Sequence, residues 1–287
     1  MWRRISQIAS ALIINSHWPS LFARTIYNGK LKGFCVPGLN CYSCPLAIFS
    51  CPIGSLQNVL AQIRPSLAVG KYYLGFYVIG LLGFVGGVVG RMPCGWICPF
   101  GALQDLTYKI PTPKLEIPRF LNYFKYIILL VMVILLPLLV IDALGYGQPW
   151  FCKYLCPAGT LEAGIPLTTL DSSLRQLIGI QFWLKIAILV FFLVIMIPTK
   201  RPFCRTVCPL GAIYSLFNRI SLFRMAVSDK CIKCNRCYKT CPMSIKIYLN
   251  PQHKDCIRCL ECINVCPVDA ISSEINGKTI HTRKSSR

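Results

Sequence analysis

The chain has few charged residues, and this scarcity argues against an ordinary soluble protein. Only 14% of its 287 residues are Asp, Glu, Lys or Arg, whereas 54% are apolar. Histidine is also scarce: the sequence has three, and no two of them are placed to hold one haem between paired membrane spans. The composition therefore predicts a membrane protein without haem.

Acidic residues are scarcer still, with 10 Asp and Glu against 31 Lys and Arg, a formal net charge of +21. This excess of basic residues does not require a nucleic-acid partner to explain it. Loops beside membrane spans are basic, and a basic surface also suits the anionic inner leaflet of the bilayer or an acidic partner protein. We therefore predict no nucleic-acid partner.

Long apolar runs are present. Residues 72–90 have no charge, residues 126–141 run apolar into an aspartate, and residues 182–199 contain only Lys185, which we expect to snorkel toward an interface. Each run approaches the roughly 20 residues that a bilayer core requires. Residues 5–22 are apolar but interrupted, and they fit a span, an interfacial helix or a signal peptide; we predict a span.

An internal repeat organises the sequence: a Cys-Pro-x-Gly motif occurs four times between the apolar runs. Proline after cysteine predicts a helix that begins at the proline, so that the thiolate lies at a helix N-terminus, where free N–H groups favour an anionic cluster. The first copy is irregular in its upstream spacing. The motif cysteines are Cys51, Cys98, Cys156 and Cys208; the upstream cysteines are Cys94, Cys152 and Cys204, with Cys35, Cys41 and Cys44 before the first copy.

Alternation of spans and motifs predicts that the first and third motifs share one membrane face and the second and fourth the other. The positive-inside rule makes the face of the second motif cytoplasmic. Three basic residues, Arg24, Lys30 and Lys32, oppose this orientation. The basic residues in favour of it are Arg3, Arg4, Arg91, Lys109, Arg119, Lys200, Arg201, Arg205 and Arg219.

Each face then has enough thiolates for one cluster. On the cytoplasmic face the predicted ligands are Cys94, Cys98, Cys204 and Cys208. On the other face six cysteines remain, and the predicted ligands are Cys44, Cys51, Cys152 and Cys156. Two alternatives stay open: Cys41 is the ligand in place of Cys44, or Cys35 and Cys41 form a disulfide if that face is oxidising. If the ligands were Cys35, Cys41, Cys44 and Cys51, then Cys152 and Cys156 would be left without a cluster to bind.

The C-terminal part contains two runs with the cysteine spacing of bacterial two-cluster ferredoxins, in which the fourth cysteine of each run binds the cluster of the other. Each run has the pattern Cys-x2-Cys-x2-Cys-x3-Cys-Pro. A pair of zinc sites would explain neither the x3 spacing nor the proline after each fourth cysteine. The predicted sets are Cys231, Cys234, Cys237 and Cys266 for one cluster, and Cys256, Cys259, Cys262 and Cys241 for the other.

These motifs resemble those of the NapH-type membrane iron–sulfur proteins, which are related to the membrane parts of NosR and CcoG. The resemblance implies four spans, cytoplasmic clusters and electron transfer near a quinone. The cysteine block 35–51 and the Cys152/Cys156 pair depart from the usual pattern of that family. The chain is also similar to polyferredoxin-like membrane proteins of anaerobes, which implies an extracytoplasmic flavoprotein as a partner. The resemblance rests on Gly90-Arg91-x2-Cys94-x-Trp96-x-Cys98-Pro99, on Cys204-x3-Cys208-Pro209-Leu210-Gly211-Ala212 and on the terminal runs.

The predicted architecture is a mainly α integral membrane domain followed by a small α+β ferredoxin domain. Residues 1–222 form the membrane domain, with about four transmembrane helices and re-entrant or interfacial motif helices. Residues 223–275 form the ferredoxin domain on the cytoplasmic side, and residues 276–287 form a basic tail. The protein is thus expected in the cell membrane as a multi-pass protein.

The predicted function is iron–sulfur electron transfer, with two [4Fe–4S] clusters in the ferredoxin domain and two in the membrane domain, in a path that could cross the bilayer. One alternative is a quinol dehydrogenase subunit, an enzyme that needs a proton acceptor beside a quinone. Another is a redox protein for metal-site maturation or sensing. The sequence identifies no catalytic residue; the candidate proton acceptors are Asp105, Asp142, Glu162 and Asp171.

Overall fold

The computed structural model describes residues 2–70, 75–143, 145–176 and 178–282. Helices dominate, and one three-stranded antiparallel sheet lies near the C-terminus. The helices are Trp2–Ile14, Pro19–Ala23, Lys30–Gly33, Pro52–Ala68, Phe76–Val89, Pro93–Trp96, Pro99–Thr107, Arg119–Leu139, Phe151–Leu155, Pro157–Gly159 continued by Thr160–Gly164 and Ile165–Leu170, Ser172–Gln176, Ile180–Ile195, Pro202–Thr206, Pro209–Phe217, Arg236–Thr240 and Glu261–Asn264.

One helix in the described residues is long and apolar enough to cross a membrane. Arg119–Leu139 has 21 residues and a mean hydropathy of 2.1. Its middle, Leu129–Leu135, is a π-helix that ends two residues before Pro137. A proline ring clashes with the preceding turn and lacks an N–H, and a widened turn is a common way to accommodate it.

Two further apolar helices coincide with predicted spans but are shorter. Phe76–Val89 has 14 residues and Ile180–Ile195 has 16. At 1.5 Å per residue they are about 21 and 24 Å long, less than the ~30 Å of a hydrocarbon core. Residues 72–74 of the predicted second span lie outside the described residues. One of the four predicted spans therefore has the necessary length in the part of the chain that the structure describes.

The predicted span over residues 5–22 does not form one continuous helix. The helix Trp2–Ile14 has 13 residues, and a separate short helix begins only at Pro19. Arg3 is buried and forms ion pairs with Asp105 and Glu261, both at 2.6 Å. The polar face of this helix therefore faces the protein, and its apolar face points outward; Trp2, Ile5, Ile8 and Leu12 are all exposed.

The C-terminal sheet joins the start and the end of the ferredoxin domain. Phe223–Val227 pairs antiparallel with Ile271–Ile275, and Lys278–His281 adds a third strand. This third strand extends the sheet into residues that the sequence assigned to a basic tail. The pairing closes the domain around the two cysteine runs that lie between its first two strands.

The ferredoxin domain is held against the rest of the chain by buried polar contacts. Asn218 accepts a hydrogen bond from the backbone N–H of Arg91 at 2.8 Å and donates to the carbonyl oxygen of Cys256 at 2.7 Å. The indole of Trp96 donates to the carbonyl oxygen of Arg258 at 3.1 Å. Because both contacts reach the second cysteine run, they place it beside the second motif.

Candidate functional site

Each Cys-Pro-x-Gly motif begins a helix, as predicted. We call Pro52–Ala68, Pro99–Thr107, residues 157–170 and Pro209–Phe217 the first to fourth motif helices; each has proline at its first position. In the third and fourth, the motif thiol accepts a hydrogen bond from the N–H of the motif glycine, Gly159 or Gly211, at 3.4 Å. The thiol thus caps the positive end of its helix.

In the first and third motifs, the motif glycine lies within van der Waals distance of a cysteine from the other motif. A Cβ added at Gly54 would lie 3.9 Å from the sulfur of Cys152, and one at Gly159 would lie 3.6 Å from the sulfur of Cys41. The glycine of each of these motifs therefore contacts a cysteine that precedes the other motif. They show that Cys41 occupies, before the first motif, the place that Cys152 occupies before the third.

The second and fourth motifs contribute four buried cysteines that lie near one another. The thiols lie close enough for their charges to interact, and burial together with these neighbours raises the pKa of Cys98 and of Cys208. The amide of Gln104 donates to the sulfur of Cys204 at 2.9 Å. We call this set the central quartet: Cys94, Cys98, Cys204 and Cys208.

The first and third motifs form a second set around a cavity of about 350 Å³. Cys41 lines this cavity, whereas Cys44 does not, so the structure favours the alternative to the predicted ligand Cys44. The backbone N–H of Cys41 donates to a carboxylate oxygen of Glu162 at 2.6 Å, which fixes its loop against the third motif. We call this set the distal quartet: Cys41, Cys51, Cys152 and Cys156.

The disulfide that the sequence left open is not formed, and Lys185 has an internal hydrogen-bond partner. Cys35 and Cys41 are both free thiols, and Cys35 instead donates to the hydroxyl of Ser55 at 3.3 Å. The ammonium of Lys185, which the sequence predicted to snorkel toward an interface, donates to the carbonyl oxygen of Cys152 at 3.4 Å, and the residue lines the cavity. A basic side chain beside four thiols reduces their mutual repulsion.

The ferredoxin cysteines line two cavities. One cavity is lined by the first three cysteines of the first run and the fourth of the second, and another by the complementary set. Cys237 lines both cavities, so the two sets adjoin. The first set is Cys231, Cys234, Cys237 and Cys266; the second is Cys241, Cys256, Cys259 and Cys262.

The central and distal quartets are close together, which differs from the predicted placement on opposite membrane faces. The sulfur of Cys98 lies 4.0 Å from the carbonyl oxygen of Leu39, and Leu39 also lines the distal cavity. Tyr214 is within electrostatic range of Cys94 in the central quartet and Cys51 in the distal one. A single layer of residues therefore separates the two quartets.

Buried arginines join the central quartet to the ferredoxin domain. Arg91 forms an ion pair with Asp255 at 2.8 Å and lies within electrostatic range of three central cysteines. Arg201 interacts electrostatically with both Cys204 and Cys259, and forms an ion pair with Asp105 at 2.5 Å. These arginines, like Arg3, lie in internal ion pairs, so they do not support the predicted membrane orientation as free loop charges would.

The buried polar groups around the quartets suit a cofactor with hydrogen-bond acceptors. Both polar atoms of Asn40 and of Gln57, and the hydroxyl of Tyr214, are buried without a hydrogen-bond partner. Among the described residues, no three His, Cys, Asp or Glu side chains converge on a point suited to one metal ion. Four thiols around a cavity with nearby N–H and O–H donors match the needs of a [4Fe–4S] cluster.

Sequence reasoning missed Gln104 and the structural use of Glu162. The available signal was their position, since each follows a motif cysteine by six residues. The other three acids proposed as proton acceptors are engaged elsewhere: Asp105 by arginines, Asp142 by the backbone N–H of Tyr146 and Asp171 by that of Ser173.

Family models match most of the motifs. A model described as a 4Fe-4S binding domain matches residues 73–118, 127–165 and 181–228, one match for each of the second, third and fourth motifs. A model described as a 4Fe-4S dicluster domain matches residues 223–267. The three successive matches agree with the internal repeat.

Similar proteins occur in archaea and bacteria. An uncharacterised protein of Methanocaldococcus jannaschii is 35% identical over 71% of this chain and 79% of its own length. The ferredoxin-type protein NapH of Haemophilus influenzae is 26% identical over 88% of this chain and 77% of its own. The methylamine utilization ferredoxin-type protein MauN of Methylorubrum extorquens is 29% identical over 66% and 59%. No solved structure matches the chain.

Proposed function

The chain belongs to the NapH-type family of ferredoxin-like 4Fe–4S proteins, and from this membership we propose that it is a membrane-bound carrier that passes electrons along four [4Fe–4S] clusters. The predicted ligands of the ferredoxin domain and of the central quartet are retained. For the fourth site we propose the distal quartet, with Cys41 in place of Cys44. When bound, each cluster takes up and releases one electron.

The proposal rests on one observation, the contiguity of the four cysteine sets. Cys237 belongs to the linings of both ferredoxin cavities, Arg201 faces both the second ferredoxin set and the central quartet, and Leu39 contacts both quartets. The sets therefore follow one another from the ferredoxin domain to the distal cavity. Isolated structural metal sites would not need this arrangement.

The chain's own residues prepare the two quartets in three ways. The motif helices direct N–H groups at the motif thiols. The central cysteines are buried, which excludes water from them. The guanidinium groups of Arg91 and Arg201 balance the negative charge that thiolates would bring into the interior.

Membrane attachment is part of the proposal. It is supported by Arg119–Leu139 and by the exposed apolar face of Trp2–Ile14, which is suited to lie in a lipid interface. The multi-pass topology, the cytoplasmic ferredoxin domain and an extracytoplasmic flavoprotein partner stay predictions. Because the two quartets adjoin, an electron path between them does not require a quinone as a bridge.

The test is the iron and labile sulfide content of the purified protein, with EPR of the reduced form. We expect about sixteen irons per chain, the content of four [4Fe–4S] clusters. Cys156→Ser should lose about four irons and retain the signals of the ferredoxin pair. Cys35→Ser is the control and should retain all of them, because Cys35 bonds to Ser55. About eight irons in the native protein would overturn the proposal for the two quartets.

A quinol dehydrogenase remains the alternative function, and it has a direct test. In membranes with oxidised clusters, a quinone analogue would slow the reduction of the clusters by quinol if the chain oxidised quinol. An unchanged rate, with sixteen irons present, favours the carrier. Association with a copper-handling protein would instead favour a role in metal-site maturation.

A further inference from the structure

The four motif helices carry an unassigned polar position. Counting six residues from each motif cysteine gives a polar side chain every time, although the residue type changes. Three of the four are completely buried. We call them the sixth-position residues: Gln57, Gln104, Glu162 and Tyr214.

Two sixth-position residues hold a cysteine from a different motif. Gln104, on the second motif helix, donates to the sulfur of Cys204 at 2.9 Å and accepts from its backbone N–H at 3.4 Å. Glu162, on the third, accepts from the backbone N–H of Cys41 at 2.6 Å. In both cases the contacted cysteine lies upstream of the partner motif, so each contact ties two halves of a quartet together.

The other two sixth-position residues have no hydrogen-bond partner. Gln57 has two unpaired amide atoms and Tyr214 an unpaired hydroxyl, and both residues are fully buried. Leaving a buried polar group without a hydrogen-bond partner is costly, so each of these groups requires a partner such as a ligand, an ion or an ordered water. By the repeat, the cysteine upstream of the partner motif is Cys94 for Tyr214 and Cys152 for Gln57, as it is Cys204 for Gln104 and Cys41 for Glu162. Gln57 lies one helical turn after Gly54, which lines the distal cavity.

We propose that the sixth-position residues are a repeated positioning device for the clusters: Gln104 and Glu162 hold the partner cysteine, and Gln57 and Tyr214 donate hydrogen bonds to the sulfur atoms of the distal and central clusters, respectively. This inference rests on the proposed function. It also gives two orphaned donors, the amide N–H group of Gln57 and the hydroxyl of Tyr214, the acceptors that the protein itself does not provide.

Hydrogen bonds to cluster sulfurs raise the reduction potential, because they stabilise the more negative reduced form. Removing the hydroxyl of Tyr214 should therefore make the central cluster harder to reduce. We expect Tyr214→Phe to shift its reduction equilibrium constant about tenfold, or about 59 mV for one electron. Gln57→Leu should shift the distal cluster in the same direction.

The experiment is an EPR-monitored redox titration of the purified full-length variants, preceded by an iron determination. Tyr126→Phe is the control, since its hydroxyl bonds to Ser215 at 2.6 Å and should leave all potentials unchanged. A native protein without quartet iron would refute the proposed function. Full iron content, with Tyr214→Phe and Gln57→Leu no different from Tyr126→Phe, would refute this inference alone.

The holding role has a separate readout that does not depend on potentials. Glu162→Gln retains an oxygen that can accept from the N–H of Cys41, whereas Glu162→Leu does not. We expect the glutamine variant to retain the distal cluster and the leucine variant to lose up to about four irons. Equal iron content in the two variants, at the native level, would show that the contact is not needed.

Discussion

Single side chains decide which cysteines can share a cluster. Cys41 and Cys44 are three residues apart, and spacing alone does not choose between them. The backbone contact from Cys41 to Glu162 and the approach of its sulfur to Gly159 turn Cys41 into the distal cavity, whereas the N–H of Cys44 bonds back to the carbonyl oxygen of Cys41. Cys44 is left outside the quartet.

This difference predicts opposite outcomes for two serine variants. Cys41→Ser should lose about four irons per chain, because a serine oxygen is a poor replacement for a thiolate, while Cys44→Ser should retain about sixteen. Iron and sulfide analysis of both variants, purified in parallel, distinguishes them. If Cys44→Ser were the variant that lost iron, the distal ligand set would be wrong.

Asp105 is the residue on which two buried arginines depend. Arg3 contacts it at 2.6 Å and Arg201 at 2.5 Å. Burial alone would raise the pKa of Asp105, but the charges of Arg201 and Arg3 outweigh this effect and hold the pKa below its usual range. Its stabilising contribution is therefore complete at neutral pH and is lost as the pH falls through the lowered folded-state pKa.

Asp105→Asn should lower the free energy of unfolding by about 3–5 kcal/mol near pH 7, because it leaves buried guanidinium charges without a counterion. The variant should also be less sensitive to acid than the native protein, since it no longer has this carboxylate to protonate. Thermal unfolding midpoints between pH 7 and pH 3 measure both effects. Parallel pH curves for the two proteins would contradict the ion-pair assignment.

At the scale of elements, short helices and the loops between them position the site. The four motif helices supply one cysteine each, and the second cysteine of each pair comes from the segment immediately before. The ferredoxin loop around Ile257 packs directly on the second motif: a Cβ added at Gly95 would lie 2.8 Å from the carbonyl oxygen of Ile257. This contact sets the spacing between the ferredoxin domain and the central quartet.

Gly95→Ala should weaken that docking by about 1–3 kcal/mol, the usual cost of overpacking. Hydrogen exchange should increase in residues 253–260 and remain native in the strand Phe223–Val227. Gly87→Ala is the matched control, because a Cβ there meets no atom within 4 Å. Equal exchange in both variants would show that the close contact does not hold the domain.

At the scale of the whole molecule, apolar side chains cover much of the outside. Phe76–Val89, Arg119–Leu139 and Ile180–Ile195 all expose large apolar side chains, among them Phe84, Leu130 and Phe191. Exposed apolar area of this extent on several helices is not maintained in water. The same surfaces are suited to lipid, although only the middle helix has full spanning length.

We therefore expect the protein to remain in the membrane pellet after washing with alkaline carbonate, and to enter the supernatant only with detergent. The measurement is immunodetection in both fractions, with a peripheral membrane protein as the control for complete washing. Release of this protein by carbonate alone would contradict a membrane-spanning segment.

The sequence by itself determined where the motif helices begin, which ferredoxin cysteines lie together and where the longest apolar helix lies. Proline after cysteine fixed where each motif helix begins, and the crossed spacing of the two terminal runs predicted which ferredoxin cysteines share a cavity. The longest helix was also visible as an apolar run. These features depend on local backbone chemistry and on hydrophobicity, which the order of residues specifies directly.

Only the tertiary structure decided how the segments meet. The choice of Cys41, the proximity of the two quartets and the inward orientation of Arg3 and Lys185 all depend on contacts between distant parts of the chain. The identity of a basic or apolar residue is the same whether its side chain faces lipid or an internal partner. Its environment is therefore set by the packing of other segments, and the sequence pattern around it does not contain that information.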